Sequence, residues 1–332
     1  MTLSLCNLQL HRILCDTLKN SHIIASNIMA PGMTPDMTKF LYGNCTQRGD
    51  LPSGLNGKLY ELIDKRFVDE FITVVTEHSQ KRTPKYPVEY YLYHIILVLS
   101  DVVKWSSLAK IRTVIDKRPF HYKTIYAKHL EWSREDLYKK TYVIMNTKYH
   151  SHLWKDATTM DLLIDTTSIY NNNGQENIGY GGNPKKQESR ISVISDVDKN
   201  VYSVTLVKTI QRTETKRTHP SDSRTVEASV VELKHYYQDK EINLTGDKGY
   251  ATSLRDRDEL KRKYNVKLIY PNRSNQRERT PEEYKPKLAV RYKVEHVFAD
   301  LKKFNRICIR RDNYECTYMG FVYLAIMVMF KF

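Results

Sequence analysis

The stretch MDLLIDTTSIY, residues 160–170, sets the strongest limit on what this chain can fold into. Leu162, Leu163 and Ile164 form an apolar run with no polar face, as expected of a strand buried on both sides. RISVISDVDKNVYSVTLVKT then reads as two alternating β-branched strands around the turn DVDKN. SRTVEASVVELKHYY is helical, INLTGD a strand, SLRDRDELKRKY a helix and VKLIYP another strand. Two helices follow, around AVRYKVEHVFADLKKF and YMGFVYLAIMVMF. Strand, hairpin, helix, strand, helix, strand, helix is an α/β order, and the hairpin makes the sheet mixed.

Upstream the spacing is helical. LYELIDKRFVDEFITVVTEH places apolar residues three and four apart, and PVEYYLYHIILVLSDVV opens with a proline suited to a first helical turn. WSREDLYKKTYVIMNTKY carries Ser133 and Asp136 in a variant of the capping box, predicting a helix start there. Residues 1–50 have weak periodicity and turn-forming pieces such as APGMTPDM. The expected organisation is a poorly ordered or loosely packed arm over 1–50, a helical domain over 51–155 and the α/β domain over 156–332.

An excess of 53 Lys and Arg over 38 Asp and Glu gives a formal charge of +15. That surplus predicts attraction to a polyanion, with nucleic acid first and an anionic membrane surface second. MGFVYLAIMVMF is the most apolar segment and is shorter than the ~20 residues a bilayer requires, so it reads as a buried helix. His11, Arg12 and Asp16 interrupt the N-terminal segment, which therefore lacks the core of a signal peptide. Cys6, Cys15, Cys45, Cys308 and Cys316 form no Cys-x-x-Cys pair, and no His cluster has zinc-ligand spacing. They read as reduced thiols of an intracellular protein.

Three acids stand out. Asp165 is expected to end the first strand and Asp247 a later one, and sheets of this class bind ligands at the carboxyl ends of strands. Asp196 and Asp198 lie in the hairpin turn and read as turn formers. On a continuous helix over 290–304, Val290, Val294, Val297, Leu301 and Phe304 make an apolar stripe. Arg291, Glu295 and Lys302 fall together at its edge, and Asp300 lies on the opposite side. Alone, Arg291 and Glu295 could equally be a solvated i, i+4 pair.

Taken together, LLIDTTSIY, LTGDKGY and RYKVEHVFADLKKFNRICIRRDNYE resemble the three catalytic blocks of DDE transposases from bacterial insertion sequences. The likeness is to the large group with an Arg-x3-Glu-x6-Lys signature, whose spacing Arg291, Glu295 and Lys302 meet. NPKKQESRISVISD resembles that family's basic first hairpin, and THPSDS its link to the next helix. The likeness runs from about residue 85 to the C-terminus. Leu288 stands where the family often has Tyr, and His296 where Arg is usual.

The resemblance implies an RNase H-like catalytic domain, with a mixed five-stranded sheet flanked by helices, behind a small all-helical domain. It implies a metal-dependent transposase in which Asp165, Asp247 and Glu295 hold two Mg²⁺ or Mn²⁺ ions, Asp165 bridging both. Hard cations of this kind prefer oxygen ligands, and a pair can hold attacking and leaving oxygens in line. Without metal, the clustered carboxylates should repel one another and leave the site loose. Lys302 is expected on a phosphate near the scissile bond, with Arg291 orienting Glu295 or binding phosphate. Lys248 reads as a phosphate contact or an exposed turn residue, while Lys185, Lys186 and Arg190 are expected on backbone phosphates. Thr166 and Thr167 read as ordinary strand residues.

The implied partners are double-stranded DNA, both terminal inverted repeats and target, and a second copy of the chain on that DNA. No membrane partner is expected. The implied location is the cytoplasm, in association with the nucleoid, in a bacterium, or the nucleus if the chain comes from a eukaryote or its virus. The helical domain has the length and basic-aromatic character of a helix-turn-helix reader of element ends, or else serves packing. A domesticated relative that binds without cutting, or a nuclease without strand transfer, would fit much of the same sequence.

Overall fold

A computed structural model describes residues 63–78, 86–100, 104–108, 121–180, 187–211, 217–235, 237–272 and 280–329. The expected arm over 1–50, together with Lys185 and Lys186, lies outside the described residues. The chain divides into two compact units between Trp132 and Ser133.

The first unit holds α1 (Lys65–His78), α2 (Val88–Leu99) and most of α3 (Lys123–Arg134). The three-and-four spacing of α1 buries Phe67, Val68, Phe71, Val74 and Val75. Pro87 is the N-cap of α2, one residue earlier than its expected place, with extended backbone (φ −60°, ψ 158°). From Tyr90 onward α2 is buried on nearly every side. Trp132 meets Phe71 edge-on with ring centroids 5.0 Å apart, a favoured aromatic geometry.

The Ser133–Asp136 pattern does not start a helix. Ser133 lies in the last turn of α3, and Asp136 takes a left-handed φ of 55° before α4 (Leu137–His150). Aspartate tolerates that region better than most residues. The Asp136 N–H donates to the Ser133 carbonyl (3.3 Å), so the pattern closes one helix rather than opening the next.

The second unit takes in α4, whose spacing marked it as helical without revealing what it packs on. Asn146 Nδ2 donates to the Val201 carbonyl at 2.9 Å, and the Tyr142 hydroxyl donates to the same oxygen. The sheet has a core of five strands among the described residues: β1 (Thr159–Asn171), β2 (Gln187–Ser195), β3 (Val201–Leu206), β4 (Glu241–Thr245) and β5 (Val266–Ile269). Their order is β3-β2-β1-β4-β5, with β1, β2 and β3 antiparallel and β1, β4 and β5 parallel. This is the mixed sheet expected. Two-residue strands at Gly179–Tyr180, Ile210–Gln211, Arg217–Thr218 and Ile309–Arg310 extend it.

Helices cover both faces. Met160, Leu162 and Ile164 of β1 pack in one core with Val226, Val230 and Leu233 of α5 (Val226–Lys234) and Leu260 of α6 (Leu254–Tyr264). Ser253 caps α6, its Oγ accepting from the Asp256 N–H at 3.2 Å. The opposite face carries α7 (Lys285–Ala289), α8 (Lys293–Leu301) and α9 (Glu315–Met329). Val294, Val297, Phe298 and Leu301 bury the inner side of α8. Among the described residues no helix is long and apolar enough to cross a membrane.

Two local expectations change. β1 does not end at Asp165 but runs six residues further to Asn171, because β2 continues to pair with it through Tyr170. The parallel neighbour β4 stops earlier, at Leu163 opposite Thr245. The helix expected over 290–304 is also broken. Between α7 and α8 the N–H groups of Lys293, Val294 and Glu295 reach three residues back, to Val290, Arg291 and Tyr292. This is 3₁₀ winding, tighter than the 100° per residue assumed.

Candidate active site

The register of the sheet brings the first two acids together. Leu163 on β1 faces Thr245 on β4, and two residues beyond each come Asp165 and Asp247. A step of two keeps a side chain on its own face, so Asp165 emerges on the face that α8 covers, while Asp247 stands in the turn two residues past the end of β4. Glu295, in the first turn of α8, is the third.

Arg291 ties the helix to the strand. Its Nη2 donates to Glu295 Oε1 at 3.1 Å, and its Nη1 lies 4.0 Å from Asp165 Oδ2. Lys302 caps the C-terminal end of α8, and its Nζ donates to Thr167 Oγ1 at 2.6 Å. Arg291, Glu295 and Lys302 thus all face β1 despite the 3₁₀ turn. Asp300 is directed elsewhere, to Lys199 at 2.9 Å and Lys303 at 2.6 Å.

The electrostatics mark Asp165. Burial pushes its carboxyl up from 3.8 to about 6, opposed by the Thr166 N–H and Arg291 and reinforced by the negative charges of Asp247 and Glu295. The three acids therefore feel one another. Among the described residues, however, no three Asp, Glu, His or Cys side chains form a group close enough to hold one metal ion. Like charges held in a partly buried pocket repel, and here a guanidinium lies between two of them.

Gly246 and Gly249 explain the GDKGY turn. A Cβ on Gly246 would lie 2.7 Å from the Tyr250 ring and 3.2 Å from Ile164. On Gly249 it would lie 2.8 Å from Asp247 Oδ1 and 2.9 Å from Asp222 Oδ2. Asp247 Oδ1 accepts from the Gly249 N–H at 2.7 Å. The chain must pass this close to the acids, and only glycine permits it.

Three features escaped sequence reasoning. Asp222, from the THPSDS link, is a fourth carboxylate beside Asp247; burial raises its pKa, Arg190 opposes this and Asp247 adds to it. Its position before α5 resembles any acid at a helix start, so local spacing hides it. Thr166 and Thr167 both touch the site: the Thr166 N–H donates to Asp165 Oδ1 at 2.8 Å, and Thr167 holds Lys302. Only the pairing partners distinguish them from ordinary strand threonines.

The remaining basic residues are dispersed. Lys248 is exposed on the turn after Asp247. Arg190 on β2 is engaged by Glu188 at 2.9 Å. Asp196 is a turn former: its Oδ1 accepts from the N–H groups of Asp198 (2.8 Å) and Asn200 (2.9 Å).

The donor set is all oxygen and carboxylate, which suits a hard divalent cation. A partly buried carboxyl whose neighbours are mostly negative is short of positive charge, and such a cation would supply it. The donor type suits the ions expected, while the three carboxylates are not drawn together around one ion.

The profile of the family described as Transposase DDE domain matches residues 157–328. No curated protein matches the chain. Among solved structures, the chain is similar to piggyBac transposase in a synaptic complex with hairpin DNA, with a TM-score of 0.41, 12% identity, and coverage of 85% of this chain and 76% of that one. It is also similar to a pre-cleavage Mos1 transpososome, with a TM-score of 0.27, 10% identity, and coverage of 95% and 98%.

Proposed function

We propose a function from one premise, that the chain belongs to the Transposase DDE domain family: this transposase binds the ends of a mobile element, cleaves the phosphodiester there and joins the freed 3′-hydroxyl to target DNA. The observation that carries the reading is Asp165 on β1 beside Asp247 in the turn just past the end of the adjacent parallel strand β4, with Glu295 linked to Asp165 through Arg291.

Asp165, Asp247 and Glu295 would hold Mg²⁺ or Mn²⁺, as a pair of ions. When bound, these cations supply the charge that offsets the negative charge growing on the attacking and leaving oxygens. The protein does the rest by placement. Burial around Asp165 excludes water and strengthens every charge interaction in the pocket. Arg291 holds Glu295 at the edge of β1. Lys302, kept on the same strand by Thr167, is placed to meet a phosphate that reaches Asp165. Lys248 and Arg190 would add backbone contacts, as would Lys185 and Lys186, and the +15 charge draws the duplex in. Arg190 must leave Glu188 to do so. The first unit is proposed to read the element's ends. Its α2 is consumed by its own core, so the reading surface belongs to other residues of that unit. Joining two ends requires two copies, hence a dimer on DNA.

The direct test uses a duplex carrying the DNA that flanks the gene. Cleavage should appear with Mg²⁺ or Mn²⁺ and be absent with Ca²⁺. Binding measured in Ca²⁺ should weaken at least about tenfold between 50 and 200 mM salt. Affinity that ignores salt would remove the electrostatic part of the proposal. Lys302→Ala should lower end binding or turnover by about tenfold and reduce the slope of log affinity against log salt by about one. Wild-type behaviour of this variant across the salt series would exclude a phosphate contact.

A further inference from the structure

Asp165 and Asp247 reach the site on different segments, so something must fix the distance between them. We infer that a partly buried hydrogen bond between Tyr250 and Thr166 is the strut that does this, and that both are positioning residues for the metal-binding carboxylates. The inference rests on the reading that these acids hold cations.

The bond joins Tyr250 Oη and Thr166 Oγ1 at 2.8 Å. Tyr250 is fully buried. Its ring is seated in the core with Ile164 and Leu244, against the backbone of Gly246, where a Cβ would stand only 2.7 Å away. Such a side chain has no freedom to swing. At one end of the strut, the Thr166 N–H donates to Asp165 Oδ1 at 2.8 Å. At the other, the Tyr250 N–H donates to the Asp247 carbonyl at 3.1 Å, and Gly249 N–H donates to Asp247 Oδ1 at 2.7 Å. The bonds link the Asp165 carboxylate, through Thr166 and Tyr250, to the backbone of the tight turn that holds Asp247, whose carboxylate is fixed in that turn by Gly249.

The path runs beneath the site. Thr166 points to the α5–α6 face of the sheet, whereas Asp165 and Thr167 point to the α8 face. The hydroxyl pair is therefore assigned a role that acts through the two acids. Groups that orient metal ligands from behind are worth about tenfold or more in metal affinity.

Tyr250→Phe removes one oxygen and keeps the ring, and Thr166→Val removes the other partner; Thr166→Ser keeps the hydroxyl. With the purified full chain, the half-saturating Mn²⁺ concentration is read from the metal-induced rise in melting temperature, and separately from end cleavage. Tyr250→Phe and Thr166→Val should each raise it about tenfold, the double variant should be no worse than either single, and Thr166→Ser should titrate like wild type. A wild-type midpoint for Tyr250→Phe, even with a lower melting temperature before metal is added, overturns the strut. So does a Thr166→Ser midpoint as weak as that of Thr166→Val. Asp165→Ala is the control for the underlying reading: if it responds to Mn²⁺ as wild type does, the metal assignment itself falls, whatever the hydroxyl variants do.

Discussion

Asp165→Ala, Asp247→Ala and Glu295→Ala should each reduce cleavage of an end-bearing duplex by about 10³-fold or more, with binding almost unchanged. The asymmetry follows from charge. Each acid removes positive potential from a surface that a polyanion approaches, so losing one cannot weaken docking through electrostatics. Cleavage is different, because the charge that builds on the reacting oxygens is offset only if the cations are held in place. The three acids act as a unit, and double replacements should cost little more than single ones. Rates from gel-resolved single-turnover cleavage, beside binding measured in Ca²⁺, separate the two effects. Full cleavage by any of the three variants refutes the site. A wild-type protein that binds element ends tightly yet never cuts them, in Mg²⁺ or Mn²⁺, would instead be a domesticated DNA-binding relative.

Asp165→Asn should make the metal-free protein more stable. The carboxyl has a pKa of about 6 in the fold against an ordinary 3.8, so the folded state holds its proton more tightly than the unfolded state does. Stability is therefore lost as pH rises from about 4 to about 6, and the full penalty, about 2–3 kcal/mol, persists above that. This is the reverse of the usual aspartate in an ion pair. Asparagine has no charge to bury and can still accept from the Thr166 N–H. At pH 7.5 without metal the variant should melt at least about 5 °C higher than wild type, and at pH 4 the two should nearly coincide. Adding Mn²⁺ should raise the wild type and leave the variant almost unmoved. Equal melting temperatures at pH 7.5 would mean that Asp165 carries no such burden.

Much of the second unit was legible because its periodicities are unambiguous. The apolar run at Leu162–Ile164 and the alternation on either side of DVDKN each fix an element locally. Two features depended on partners that no local pattern reveals. The length of β1 past Asp165 is set by β2, which offers backbone groups as far as Glu188. The helix break before Lys293 changes the winding while leaving the apolar stripe intact, so the pattern of Val294, Val297 and Leu301 could not disclose it. The same holds for the site. Asp165 and Asp247 stood out as acids at expected strand ends and Glu295 through the resemblance to a family, whereas Asp222, Thr166 and Tyr250 acquire meaning only when distant segments meet. Ser133 and Asp136 make the converse point: a cap-like pattern was present, but the N–H it served belonged to the end of the preceding helix.

The uneven partnership of β1 also bears on how the molecule is made. Its antiparallel neighbour β2 follows after a short interval of chain, so the β1–β2–β3 meander can assemble early during synthesis from contacts close in sequence. The parallel neighbour β4 must wait for α5, and α8 emerges later still. A chain made only as far as β3 therefore carries Asp165 paired with Val193 on one side and without its parallel neighbour on the other. On the function proposed above, the site is assembled only once β4 and α8 have joined the meander.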